Sequence, residues 1–325
     1  MTEIKMPDTL LSLGAHAFDT CTSLENIVVP NGVTVVGEFC FFNCGNLASI
    51  SLPESLVRIE AYAFKDCLKL ENITLPSSLE FIGETAFAHC LSIKKITLPD
   101  SVKELGLFAF DACDSLQSIT IGTGLEKVDL GFAASCNDLV SLSVKEGNKV
   151  FHSSGNCIIE TATKTLVQGC KTSVIPADGS VTSISNRAFG GMKGITAIVI
   201  PDSVTFIDEY CFTGCTDLVS IDFGKGLESI GRYAFAECTA LKEIILPDSI
   251  KTLEHCSFKD CSALASVTIG RGIELLRDAF NDCALLNDVR FTGTVAEWDA
   301  AEKPSSINYH CPFTVVHCSD GDVDV

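Results

Sequence analysis

Proline recurs at an interval that leaves this chain few folds to choose from. Pro7, Pro30, Pro53, Pro76 and Pro99 stand 23 residues apart, and Gly122 takes the next place in the series. A second series starts at Asp178 and keeps the same step through Pro201, Gly224, Pro247 and Gly270. These are eleven units, six before a break and five after it. A fixed period of roughly 20–50 residues marks a solenoid, in which each unit is one turn of chain stacked on the last. That period overrides chain length, which by itself allows about two domains for 325 residues.

Residues 76–98, PSSLEFIGETAFAHCLSIKKITL, show the unit most clearly. With Pro76 as offset zero, apolar residues fall at offsets 3, 6, 11, 17, 20 and 22, and Cys90 at offset 14. Ile96 and Leu98 alternate with polar residues at period 2, the pattern of a short strand with one face buried and one wet. Equivalent strands of successive coils then pair in parallel, about 4.8 Å apart. Proline or glycine ends the strand, and Ser or Gly two residues later makes the turn. Leu79 and Ile82 fit a second short extended stretch. Ala86-Phe87 packs inward, the small residue making room for the ring of its own or a neighbouring coil. The sixth unit reverses the order, Phe132-Ala133, and keeps the paired volume.

One such coil cannot fold alone. Six buried apolar side chains contribute about 1.5–3 kcal/mol each. Ordering the backbone costs about 1–2 kcal/mol per residue. Stability must come from stacking on neighbours.

The expected organisation is a single β-rich, right-handed solenoid over residues 1–325. It divides into a first array at 1–144, a hairpin-like insert or modified coil at 145–177, a second array at 178–291, and a cap with an acidic tail at 292–325. The insert contains NCIIETATKTLVQGCK, two apolar stretches around a polar TATK turn. With that turn Glu160 faces Thr165 and Cys157 faces Gln168. After Gly293 the repeat is expected to stop, and the segment carrying Trp298 covers the last apolar face. Ile4 and Met6 match offsets 20 and 22 of a unit otherwise absent, so the chain is expected to begin in mid-coil, with a missing region or a partner over that end.

The unit P-x-S-[LVI]-x-x-I-x-x-x-A-F-x-x-C-x-x-L-x-x-I-x-[LI] resembles the Treponema pallidum-type leucine-rich repeat of the BspA-like family. The likeness runs over residues 4–291. Residues 156–176 and the G-T-x-x-E-W segment at 293–298 also look like segments that recur in bacterial members. The resemblance implies a curved right-handed solenoid and, beyond that, surface proteins that bind host or matrix ligands. No basic segment followed by an apolar run opens this chain, and no apolar stretch approaches the roughly 18 residues of a membrane span. As written it reads as cytoplasmic; a removed leader would make it secreted or surface-borne.

Charge narrows the partners. Asp and Glu number 42 against 23 Lys and Arg, net −19. Such a surface repels phosphate backbones, so nucleic acid is not expected. It serves solubility, or a basic partner.

Seventeen cysteines would ordinarily point to a disulfide framework or a metal site. Ten of them occupy one repeat slot, Cys21, Cys44, Cys67, Cys90, Cys113, Cys136, Cys215, Cys238, Cys261 and, shifted by one, Cys283. Cys40 and Cys211 replace the Ala before Phe. Residues one coil apart hold their Cβ atoms near 4.8 Å, long for the roughly 3.5–4.5 Å of a disulfide. A buried column of reduced thiols acting as small hydrophobes is expected. A Cys157–Cys170 pair is left open. His310-Cys311 and His317-Cys318 form the one N and S set that zinc could use. Adjacent ligands on an extended chain point to opposite faces, so packing of the tail is the expected role, and no metal or cofactor is assigned.

No nucleophile elbow, H-E-x-x-H or P-loop is present, so no enzyme is expected. The remaining lead is the wet side of the strands, offsets 19 and 21. In the first array this face is rich in small hydroxyls, and its candidate binding residues are Asn72, Thr74, Lys95 and Thr97. In the second it is less uniform, with Asp222, Glu243, Ile245 and Arg290 as candidates. Expected partners are a protein, or a glycan, on this face, with no membrane span. The expected function is non-catalytic ligand binding, adhesin-like. The alternative is a spacer or assembly unit that self-associates through its first coil.

Overall fold

The computed structural model describes residues 4–304 and 307–325. It forms two compact units, residues 1–162 with 168–173, and residues 163–167 with 174–325. Each is a stack of short parallel strands, and together they comprise about 13 turns, two more than the eleven units counted from the repeat.

Each coil carries two strand positions. Offset 6 supplies a two-residue strand with its second residue buried, except at Val128, which is half-buried. In unit 1 these run Ser12–Leu13, Val35–Val36, Arg58–Ile59, Phe81–Ile82, Glu104–Leu105 and Lys127–Val128, each in register with the next. In unit 2, Thr165 and Leu166 pair with Ser183–Ile184, which leads on through Phe206–Ile207, Ser229–Ile230 and Thr252–Leu253 to Leu275–Leu276. Offset 20 supplies the longer strand, such as Lys95–Thr97, exposed, buried, exposed along its length. In five coils Ser at offset 2 ties the coil to the one before, as where Ser78 Oγ donates to the Leu56 carbonyl at 2.7 Å and Ser249 Oγ to Leu227 at 2.7 Å.

The rings at offset 11 stack on one another. Phe41, Phe64, Phe87 and Phe110 are fully buried, with neighbouring centroids 5.1–5.4 Å apart and planes within 9°. Phe189, Phe212, Phe235 and Phe258 do the same in unit 2, at 4.8–5.2 Å. Between Ile82 and Cys90 the chain turns on two left-handed residues, Thr85 at φ 56° and His89 at φ 59°. Nearly every coil repeats this pair, usually without glycine. A strained non-glycine residue costs about 1–3 kcal/mol. The turn lets Thr85, Phe87 and His89 donate their N–H groups to Leu107, Ala109 and Asp111 of the next coil at 2.7–2.9 Å, which offsets the strain.

All 17 cysteines are free thiols, and thirteen are buried. From Cys44 onward the repeat thiols donate to the Phe carbonyl of the preceding coil: Cys67 to Phe41, Cys90 to Phe64 and Cys113 to Phe87, all at 3.2 Å. Burial pushes Cys113 up to about 12, and Cys90 well above the ordinary thiol range.

The two ends of the arrays need correction. In the insert, Cys157–Glu160 and Thr165–Gln168 are strands and residues 161–164 a turn. Unit 1 also holds an antiparallel pair upstream, Phe151–Ser154 with Cys157–Glu160. Its turn is Gly155-Asn156, both left-handed at φ 58° and 56°, as a two-residue hairpin loop requires. Nor does the repeat stop at Gly293. Val315–Cys318 pairs in parallel with Asp288–Phe291 as one more ladder strand. Cys311 Sγ donates to the Phe280 carbonyl at 2.9 Å, filling the thiol slot. His310, at φ 55°, meets Asp282 at 2.6 Å as His89 meets Asp66 at 3.0 Å. The cap is thus a coil interrupted by a helix, Val295–Ala300. Thr294 and Glu297 form a capping box at its start, and Trp298 is buried beside Phe291. Gly321–Asp324 pairs antiparallel with Val315–Cys318 and ends the sheet.

Candidate binding surface

The offset-20 strands build the surface singled out above. Buried residues at offset 20 alternate with outward ones at 19 and 21. Large apolar side chains stand in the outward row, with Val28 66%, Val199 61% and Ile245 64% exposed. Asn72, Thr74, Lys95, Thr97, Asp222, Glu243, Ile245 and Arg290 are all exposed.

The ladder is not continuous. In unit 1, Asn26–Val28 pairs with Ser49–Ser51, and Ser49 bridges Asn72. Lys95–Thr97 pairs with Ser118–Ile121, which pairs with Ser141–Val144. Among the described residues no pairing joins residues 72–75 to Lys95–Thr97. A cleft of about 540 Å³ opens there. Asn72, Thr74, Lys95 and Thr97, the four candidates of the first array, line it together, with Ile73 and Leu75 at its floor.

Unit 2 has a matching interruption. Ala197–Ile200 pairs with Ser220–Phe223, and Glu243–Ile245 starts a separate sheet with Ser266–Ile269. Asp222 lies on one side of this gap, and Glu243 and Ile245 on the other. Arg290 stands apart from them. It lines a cleft of about 680 Å³ beside the cap with His317 and Asn287. Its guanidinium is held by Asp288, at 3.0 Å from NH2 and 3.1 Å from Nε, and that hydrogen bonding drives it further toward the charged form. The four candidates of the second array are therefore divided between two places.

The His and Cys set of the tail does not converge. His310 is paired with Asp282 and His317 with Asp322 at 2.9 Å. Among the described residues no three His, Cys, Asp or Glu side chains are placed to hold a metal ion. No helix among them is long and apolar enough to cross a membrane.

One surface row escaped the sequence reading. At offset 9, the left-handed corner, His16, Phe39 and Tyr62 stack with centroids 4.9 and 4.6 Å apart. Tyr210 and Tyr233 stack at 5.1 Å in unit 2, with Arg187 over Tyr210. The signal was the residue before Ala-Phe or Cys-Phe, which is aromatic in several coils.

Stacked coils with a parallel ladder, a thiol and phenylalanine spine and a helix-bearing end coil define a leucine-rich-repeat β-solenoid. The chain belongs to the BspA-type leucine-rich repeat family: residues 1–67, 57–178 and 182–301 match its repeat region, in six copies. No curated protein matches the sequence. Among solved structures, a leucine rich cell surface protein from Faecalibacterium prausnitzii is 22% identical, with 94% of this chain and 91% of that one covered and a TM-score of 0.68. A leucine-rich repeat protein from Bacteroides ovatus is 25% identical over 96% of this chain and 85% of that one, at 0.61. The pneumococcal vaccine antigen PcpA is 22% identical over 88% and 73%, at 0.74.

Proposed function

We propose that this chain is a non-catalytic interaction module that presents its strand ladder to a protein ligand, in the manner of a surface adhesin. The observation that carries the reading is the ladder itself. Outward side chains are fixed on hydrogen-bonded strands, so they lose little freedom on binding, and two clefts of ligand-binding size open along them. Solved relatives that include a cell surface protein and a vaccine antigen support a surface setting. In unit 2 the proposed contacts are Asp222, Glu243, Ile245 and Arg290. With a partner captured, replacing Glu243, Ile245 and Arg290 together by Ser is expected to weaken binding at least tenfold with the melting curve unchanged. Unchanged affinity, together with loss of binding on substitution at Asp202, Lys225 and Arg271 of the turns, would refute the ladder as the contact.

A second reading is self-association. An apolar cavity of about 340 Å³ lies among Ile4, Met6, Ile27 and Val28. Sedimentation of the wild type and Val28→Asp tests it: a dimer lost in the variant supports assembly, and a monomer in both refutes it.

A further inference from the structure

The interrupted ladder of unit 1 leaves main-chain groups in register with nothing across from them. In the paired parts of this ladder the rungs are regular, while Ser49–Ser51 meets residues 72–74 through the single Ser49–Asn72 bridge. The N–H of Val29 donates to Ser51 and that of Leu98 to Thr120, both at 2.9 Å; Ala48 donates to Glu25 and Gln117 to Lys94, both at 2.8 Å. Among the described residues the equivalent bonds from Leu75 to Thr97 and from Lys94 to Glu71 are not made. Backbone donors and acceptors thus face the cleft, above the apolar floor of Ile73 and Leu75. Buried or half-buried main-chain groups demand partners.

The charge of the cleft runs against that of the molecule. In a chain of net charge −19, Lys94 and Lys95 line it side by side. Neither makes an ion pair among the described residues, whereas Lys145 is paired with Asp100 at 2.9 Å and Lys171 with Asp138 at 3.3 Å. The carboxylate that lines the cleft, Glu54, is taken up by Ser77, accepting from its N–H at 3.1 Å and its hydroxyl at 2.9 Å. No aromatic ring lines the cleft for a sugar to stack on. The interruption of unit 2 is more acidic, with Asp222 and Glu243 outward on its two sides and one lysine, Lys242, beside Glu243.

We propose that the unit 1 cleft between residues 72–75 and 94–97 is a docking site for an acidic peptide in extended conformation. Its main chain pairs with the free backbone groups, its carboxylates meet Lys94 and Lys95, and its alternate apolar side chains rest on Ile73 and Leu75. An added strand draws affinity from main-chain hydrogen bonds and specificity from alternate side chains. This rests on the ladder-binding reading above and adds the location and the ligand class.

The test uses the full chain and a fluorescent peptide, Glu-Val-Glu-Thr-Glu-Val-Glu-Thr, followed by anisotropy. Binding is expected. Lys94→Glu with Lys95→Glu should weaken it at least tenfold, and the control Lys127→Glu by less than twofold. N-methylation of alternate peptide nitrogens should also cost at least tenfold, because it removes main-chain donors and leaves charge unchanged. Circular dichroism melting of the double variant confirms that the fold survives. Equal binding of the Lys-Val-Lys-Thr counterpart, indifference to N-methylation, or tighter binding of an acidic oligosaccharide at the same lysines would overturn the proposal. Binding of the basic peptide that is lost with Asp222→Lys and Glu243→Lys, and no binding of the acidic one, would overturn it while leaving the ladder reading intact.

Discussion

Gly226 lies so close to Asp202 of the preceding coil that a Cβ on it would sit 2.1 Å from the Asp202 carbonyl oxygen. The relationship recurs, at 2.0 Å between Gly124 and Asp100 and 2.2 Å between Gly272 and Asp248. Wherever a coil opens with Pro-Asp-Ser, the next opens with Gly-x-Gly. The Asp carboxylate accepts from the backbone N–H between the glycines, at 3.0 Å from Thr123, 2.7 Å from Lys225 and 3.1 Å from Arg271. The strand leading into each Gly-x-Gly is four residues long. The strand leading into Pro99 pairs with the one leading into Gly122, and the strand leading into Pro247 with the one leading into Gly270, and an interruption of the ladder stands before each of these pairs.

Gly226→Ala is therefore expected to cost about 3 kcal/mol, the upper part of the range for forced overpacking, because the obstacle is backbone and cannot rotate away. Gly14→Ala, where no atom lies within 4 Å of the added carbon, should change stability by under about 0.5 kcal/mol. Denaturant midpoints of the two variants decide it, and equal costs would mean the close approach is not a constraint.

Phe87→Ala should cost about 3–5 kcal/mol, the usual range for a core Phe. Phe87 is fully buried and its ring lies between those of Phe64 and Phe110. Since coils are stabilised by their neighbours, faster amide exchange should extend to the coils on both sides. Lys95→Ala, at an exposed position, should cost under about 0.5 kcal/mol.

Ser257 occupies the slot filled by Ala86 or Ala234 in other coils, and its buried hydroxyl makes no hydrogen bond. Leaving a polar group so costs about 1–3 kcal/mol. Ser257→Ala should accordingly stabilise the protein by an amount of this order, read as a rise in the denaturant midpoint. A lowered midpoint would show that the hydroxyl has a partner.

The thiol column should make the protein sensitive to alkali. Cys40, Cys113, Cys157 and Cys215 are raised to about 12 by burial, and Cys67, Cys90, Cys136 and Cys238 are raised well above the ordinary range. A folded-state pKa above the unfolded one contributes stability that is complete below the unfolded pKa and is lost as pH climbs toward the folded one. The window opens at about pH 8.5, the thiol's value in an unfolded chain. At pH 10 each fully buried thiol contributes a loss of about 2 kcal/mol. Cooperative unfolding between about pH 9 and 11 is expected, with few thiols reactive before it and at least twelve after. Thiol titration alongside circular dichroism checks this, and oxidised or freely reactive thiols in the native protein would contradict it.

The spine was legible in the sequence because every coil restates it. Phe87 and Cys90 recur at fixed offsets, and a side chain that repeats each turn must stack on its equivalents. The outward rows were legible for the same reason, since alternation at period 2 settles which side of a strand faces water. The cap was not. Cys311 follows Cys283 by 28 residues rather than 23, because the helix Val295–Ala300 is inserted between them, and spacing alone hides the shared slot. The left-handed corners were hidden too, because Thr85, Tyr62 and Cys256 adopt them without the glycine that would announce them.

The cleft shows where local sequence ends. Residues 73–76 and 96–99 are both Ile-Thr-Leu-Pro. After Thr97 the ladder pairs onward to Thr120; from Thr74 it does not pair onward to Thr97. Identical residues carry identical strand propensity, so the sequence by itself determined that both segments are strand-like, which side chains they bury and which they expose. Whether each meets its neighbour was decided only by the stacked structure. Gly122 and Gly124 let the coil after Lys95–Thr97 approach closely, whereas Pro99 and Ser101 stand at the same places in the coil after residues 72–75. Contact between coils 23 residues apart, which local propensity does not encode, makes either a closed rung or an open cleft.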